Sequence, residues 1–162
     1  EGTDDIDFTA YDEFVFKFYD LNPADDDKKF QFNVSIDTGS NYNVAKTTAF
    51  FRAYHDEADT EAVLGYVTGN DLAQGTGVQV FTESAGNGAD ESAYGELHLF
   101  APSSTTFVKH FYSRTSTYYT SDYAMDVYVA GYANTTSAVD AIQFSVESGG
   151  NFDGSISLYG IS

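Results

Sequence analysis

Three histidines and three clusters of acids are the side chains whose types could do chemistry in this chain. Two of His55, His98 and His110 brought onto neighbouring strands could ligate zinc through their ring nitrogens. They lie far apart, however, and His98 stands between Leu97 and Leu99, an alternation that aims it away from a core. Exposed or locally hydrogen-bonded histidines are the simpler expectation. The acidic clusters are Asp4-Asp5-Asp7, Asp25-Asp26-Asp27 and Asp56-Glu57-Asp59-Glu61. Calcium takes roughly six to eight oxygens, and an EF-hand loop supplies them at alternate positions around a central glycine. None of the clusters has that pattern, so a solvated acidic surface is expected, with loop carboxylates converging on calcium as the alternative.

Catalytic signatures are equally sparse. No GxSxG elbow, phosphate-binding loop or dinucleotide fingerprint occurs, and Gly75-Thr76-Gly77 leads into a strand pattern rather than a helix. Carboxylate pairs could cleave glycosides, but among 25 acids such pairs arise by chance. With no cysteine there is neither a disulfide nor a thiolate nucleophile or ligand. The chain is therefore read as non-enzymatic, with no cofactor. Contact chemistry is better represented. The stretch TSTYYTSDY carries Tyr118, Tyr119 and Tyr123, whose rings could stack on sugar faces while their hydroxyls hydrogen-bond. The same tyrosines could instead pack beside a neighbouring subunit, and the absence of tryptophan weakens the sugar reading. Asn33-Val34-Ser35 and Asn134-Thr135-Thr136 match glycosylation sequons.

The elements that must position these residues read as strands from end to end. Phe14, Phe16 and Phe18 alternate with Glu13, Val15, Lys17 and Tyr19, and Phe30, Phe32, Val34 and Ile36 alternate with polar residues. The turn Asn22-Pro23-Ala24-Asp25-Asp26-Asp27 between them predicts a hairpin-like unit with a phenylalanine-rich inner face. Further strands are expected near 46–55, 77–82, 94–100, 105–113, 123–132, 139–147 and 154–160. The last, after the glycine-rich turn Gly149-Gly150-Asn151, would place Ile156 and Leu158 inward. One helical turn at Asp59–Leu64 is considered, and Asn41–Val44, Gly69–Gly77 and Ser84–Ser92 read as exposed loops. Eight to ten short strands in one domain predict an all-β antiparallel sandwich, jelly-roll-like.

Composition bounds the partners. The 162 residues contain 14 Phe and 13 Tyr, and the net charge is −18. Such a surface repels phosphate backbones, which argues against nucleic acid, and suits a salty medium where self-repulsion is screened. No apolar run reaches the roughly 20 residues that span a bilayer, so no membrane insertion is expected. The charge is lopsided, with 20 acids and 5 bases in residues 1–100 against 5 acids and 2 bases in residues 101–162. That division suggests acidic loops turned outward and C-terminal strands turned toward a neighbour. The opening Glu1, without a hydrophobic leader, reads as a processed or truncated start.

Several segments occur in a familiar order: IDFTAYDEFVFKFYDLNPADD, GSNYN, FRAYHDE, GELHLFAPSSTTFVKHF, and SDYAMDVYVAGYANTTSAVDAIQFSVESGGNFDGSISLYGIS. Across nearly its whole length the chain resembles virion-associated structural proteins of marine tailed phages. The resemblance implies a jelly-roll module of the virion, assembled in the host cytoplasm, most simply a capsid decoration protein that forms a homo-oligomer. Its partners would be other virion proteins, either the major capsid protein or a tail protein. The alternative it implies is a tail-fibre or receptor-binding module for host-surface carbohydrate. It supplies no catalytic motif to carry over.

Overall fold

The computed structural model describes residues 6–162, so the Asp4-Asp5 part of the first acidic cluster lies outside the described residues. The strands are β1 (Glu13–Pro23), β2 (Phe30–Ser35), β3 (Lys46–Asp56), β4 (Ala62–Tyr66), β5 (Ala73–Gly75), β6 (Gln79–Val80), β7 (Ala93–Phe100), β8 (Lys109–Tyr119), β9 (Tyr123–Ala133), β10 (Ala141–Val146) and β11 (Phe152–Ile161). A single 3₁₀ turn, Glu147–Gly149, separates the last two. The fold is the expected all-β antiparallel sandwich, and its strands divide unequally. One eight-stranded sheet runs β11-β1-β7-β8-β9-β3-β4, with β5 also pairing on β3, and the second sheet is only β10-β2-β6.

Alternation in each strand decides which side chains meet between the sheets. On β1, Phe14, Phe16 and Phe18 point inward and are buried, while Lys17 and Tyr19 face out. From the small sheet Phe32 and Phe144 reach across, and Phe81 follows directly after β6. Phe18 stacks on Phe81 at 4.7 Å, Phe16 meets Phe144 edge-on at 5.2 Å, and Phe32 meets Phe111 edge-on at 5.1 Å. Each fully buried ring is worth about 1.5–3 kcal/mol of transfer free energy, so this phenylalanine layer is the main cohesion of the sandwich.

Four expectations are corrected. Strands β1 and β2 do not pair as a hairpin; they belong to opposite sheets, and the Asp25–Asp27 turn carries the chain from one layer to the other. The phenylalanine-rich faces are real, but they face each other across the core. The Asp59–Leu64 segment is not helical. Asp56 accepts the backbone N–H groups of Thr60 and Glu61, both at 2.8 Å, and this turn feeds β4 as a hairpin partner of β3. The Ser84–Ser92 loop is exposed only at its tip, because Ser84, Ala85 and Gly86 are buried and Ala85 bridges Lys28 and Tyr119. Ile156 and Leu158 lie opposite Phe18 and Phe16, on the inner face, yet are 37% and 40% exposed. The three-stranded sheet is too narrow to cover the edge strand that carries them.

A bulge shapes this edge. The β1–β11 register shifts between Tyr19 and Asn22, where Gly154 adopts φ +127°. A side chain there would sit 2.7 Å from the Asp20 carbonyl oxygen, so the position needs glycine. Among the described residues, no helix is long and apolar enough to cross a membrane.

Candidate functional site

Two oddities of the composition, many tyrosines and many unpaired acids, meet at the surface. Hairpin β8–β9 places Tyr119 and Tyr123 on the inner side of the large sheet beyond the edge of the small one. Their rings pack edge-on at 5.9 Å, and Tyr123 meets Tyr54 of β3 at 5.4 Å. The hydroxyls of Tyr54 and Tyr123 donate to the two oxygens of Glu61, at 2.9 and 3.2 Å. The Arg52 guanidinium lies 5.2 Å above the Tyr54 ring and pairs with Glu83 at 2.7 Å. Together these side chains enclose a recess of about 280 Å³. Tyr118 stands apart, on the outer face, where its hydroxyl bonds Asp122 at 3.1 Å and Glu57 at 3.2 Å. Tyr119 and Tyr123 are thus brought together and Tyr118 is separated from them, because successive residues of one strand point to opposite faces.

The same pairing of phenol and carboxylate recurs. Tyr66 donates to Asp71 at 2.6 Å, and Tyr94 donates to Asp20. Each carboxylate disfavours a phenolate beside it, so the tyrosines hold their protons above the ordinary range. Tyr118 is pushed up to about 12, chiefly by its hydrogen bond to Asp122.

A second concavity crosses the outer face of the large sheet and has a volume of about 510 Å³. Tyr19 of β1 and Tyr94 of β7 form one wall. Arg114 of β8 and Asp126 of β9 form the other, joined by two hydrogen bonds at 3.1 and 2.9 Å. Lys17 and Glu96, 3.6 Å apart, close one end. The floor is low because Ser116 and Ala124 are small, and because Gly95 cannot carry a side chain: a Cβ would lie 2.4 Å from the Arg114 carbonyl oxygen. Periodicity alone did not reveal this groove. Its residues come from four strands whose register is set by long-range pairing, and only the outward parity of Lys17 and Tyr19 was readable in advance.

The histidines do not converge. His98 points to the outer face as expected, but it is largely covered. It stacks on Tyr112 at 4.4 Å, contacts Glu13 through Nδ1, and lies 3.3 Å from Glu96 through Nε2. His55 pairs with Asp59 at 3.1 Å in an exposed position, and His110 is exposed beside Tyr132. Among the described residues, no three His, Asp or Glu side chains stand close enough to hold a metal ion. Asn33 is buried and takes part in core hydrogen bonds, which makes its sequon inaccessible in the folded protein.

Two lysines are fully buried with no carboxylate partner among the described residues. Lys46 donates to Asn33 Oδ1 at 2.5 Å and to the Val44 carbonyl at 2.9 Å. Lys109 donates to the carbonyls of Phe107 at 2.8 Å and Thr135 at 3.1 Å. Both pair in register with Ala133, from either side. Burial lowers both, and Lys46 falls to about 8. Compared with known proteins, the chain matches no family model, no curated protein and no solved structure.

Proposed function

We propose that this chain is a non-enzymatic structural protein of a tailed-phage virion, a capsid-decoration protein that oligomerises on the particle surface. The observation that carries the reading is the bare edge of the large sheet. Among the described residues, strand β11 pairs with β1 alone, and its other edge offers a row of N–H and C=O groups with no strand partner there. Natural sheets blunt such edges with charge, proline or a covering segment. From Gly154 to Ile161 there is neither a charged residue nor a proline, and Ile156, Leu158, Tyr159 and Ile161 are all exposed. A second copy can add to this edge in antiparallel register about a two-fold axis, joining the two large sheets. In a chain of net charge −18, this is a flank where copies meet with little repulsion. The resemblance of its segments to those of marine phage virion proteins points to the same role.

The test has two parts. Light scattering should show an oligomer for the parent protein and a monomer for the Ile156→Lys, Leu158→Lys double variant, with the thermal midpoint little changed. Imaging of purified particles of the parent phage should then locate many copies on the capsid. A monomeric parent, or particles that lack the chain, would refute the reading. A few copies confined to the tail would replace it with the tail-module alternative.

A further inference from the structure

We propose that the groove between Tyr19 and Tyr94 on one side and Arg114 and Asp126 on the other binds an uncharged saccharide. This goes beyond the virion role and does not depend on it. Saccharide sites combine an aromatic face, on which the axial C–H groups of a pyranose can lie, with fixed polar groups that match its hydroxyls. Both are present. The two tyrosine rings are 38% and 43% exposed, and Tyr94 is pinned by the hydrogen bond from its hydroxyl to Asp20. Holding the ring before the ligand arrives lowers the entropy cost of binding. Arg114 is braced as well, by both oxygens of Asp126 and by the Tyr128 ring 4.9 Å from its guanidinium carbon. A guanidinium has five N–H donors, so the two hydrogen bonds to Asp126 leave others for ligand hydroxyls.

Size and charge select the ligand class. A volume of about 510 Å³ falls within the range of small-molecule sites, about 300–1,000 Å³, and is open enough for a glycan to continue beyond it. The walls hold two cations and two anions in two pairs, Lys17 with Glu96 and Arg114 with Asp126, so the groove itself is close to neutral. The surrounding molecule is strongly acidic. Acidic glycans and nucleic acids are repelled on approach, whereas an uncharged hexose meets no such barrier.

An array of uncharged and uronate-containing oligosaccharides, probed with the intact protein, is the direct test. Binding should be confined to uncharged members. Tyr94→Ala, which removes the platform, and Ser116→Tyr, which fills the exposed floor, should each weaken it at least about tenfold. Ser116 is a surface position, so this second variant keeps the fold and decides the case if Tyr94→Ala is unstable. Absence of binding by the parent, binding limited to acidic sugars, or binding that survives Ser116→Tyr would each overturn the proposal. Particle assembly should be unaffected by Ser116→Tyr, since Ser116 lies on the outer face away from the β11 edge, which separates failure here from failure of the virion reading.

Discussion

Lys46 and Lys109 are two of only seven basic side chains, and both are placed inside the sandwich rather than among its many acids. An ammonium ion buried among carbonyls is disfavoured relative to water, which is why Lys46 titrates near 8. The consequence has a definite sign. Below about pH 8 Lys46 is charged in both folded and unfolded chains, and its burial cost is at its full value. Between that pH and the ordinary lysine range the unfolded chain binds more protons, so stability rises with pH. The displacement corresponds to a gain on the order of 3 kcal/mol. Tyrosine acts in the opposite direction. The raised values of Tyr54, Tyr66, Tyr94, Tyr118 and Tyr123 mean that the folded chain holds those protons more tightly. Their contribution is present below the ordinary tyrosine range and is lost as pH climbs through the folded values. Denaturant unfolding should therefore show stability rising above pH 8 and falling in the tyrosine range. Lys46→Met should flatten the rising limb, and a flat limb in the parent would contradict the burial account.

At the level of elements, the sandwich depends on a wide sheet meeting a narrow one. Phe81 is the keystone of that contact, since it stacks on Phe18, lies near Phe32 and Phe144, and is almost wholly buried. Phe81→Ala should cost about 3–5 kcal/mol by leaving a cavity between rings that cannot close in, measurable by urea unfolding. A loss below about 1 kcal/mol would mean that the layers cohere elsewhere. The narrow sheet also explains why β11 keeps Ile156 and Leu158 at the surface. A strand at the end of an eight-stranded sheet projects beyond a partner of three.

The whole molecule is polarised end to end. Strands β1, β3 and β8 finish at one end, where β4, β7, β9 and β11 begin. Asp25–Asp27, Asp56–Glu61, Asp90, Glu91, Asp122 and Asp153 gather there, while Lys46 and Lys109 lie toward the other end. The expected division of charge between sequence halves is therefore not a division between faces, because in one sheet the N-terminal pairs β1-β7 and β3-β4 interleave with C-terminal β11 and β8-β9. The acids at the crowded end repel one another over a distance that salt shortens from about 10 Å at 0.1 M to about 3 Å at 1 M. Thermal midpoints should rise across that range of sodium chloride. An unchanged midpoint would show that the tyrosine hydroxyls and solvent already relieve the repulsion.

Alternation of Phe14, Phe16 and Phe18, of Phe30, Phe32 and Val34, and of the strands near 94–100, 123–132 and 139–147 determined from sequence alone that this is an antiparallel β-sandwich. Period-2 burial is a local property, and each strand states its own inner face. The sequence did not set Tyr118 against Tyr119: the strands expected near 105–113 and 123–132 left both between them, and their opposite faces follow from β8 running on to Tyr119. What a strand cannot state is its partner. That β1 and β2 lie in different layers, and that Ile156 faces inward yet remains uncovered, are decided by pairings between residues far apart in the chain. The groove of Tyr94, Ser116, Asp126 and Lys17 has the same origin: four strands contribute to it, and only the tertiary register sets them side by side.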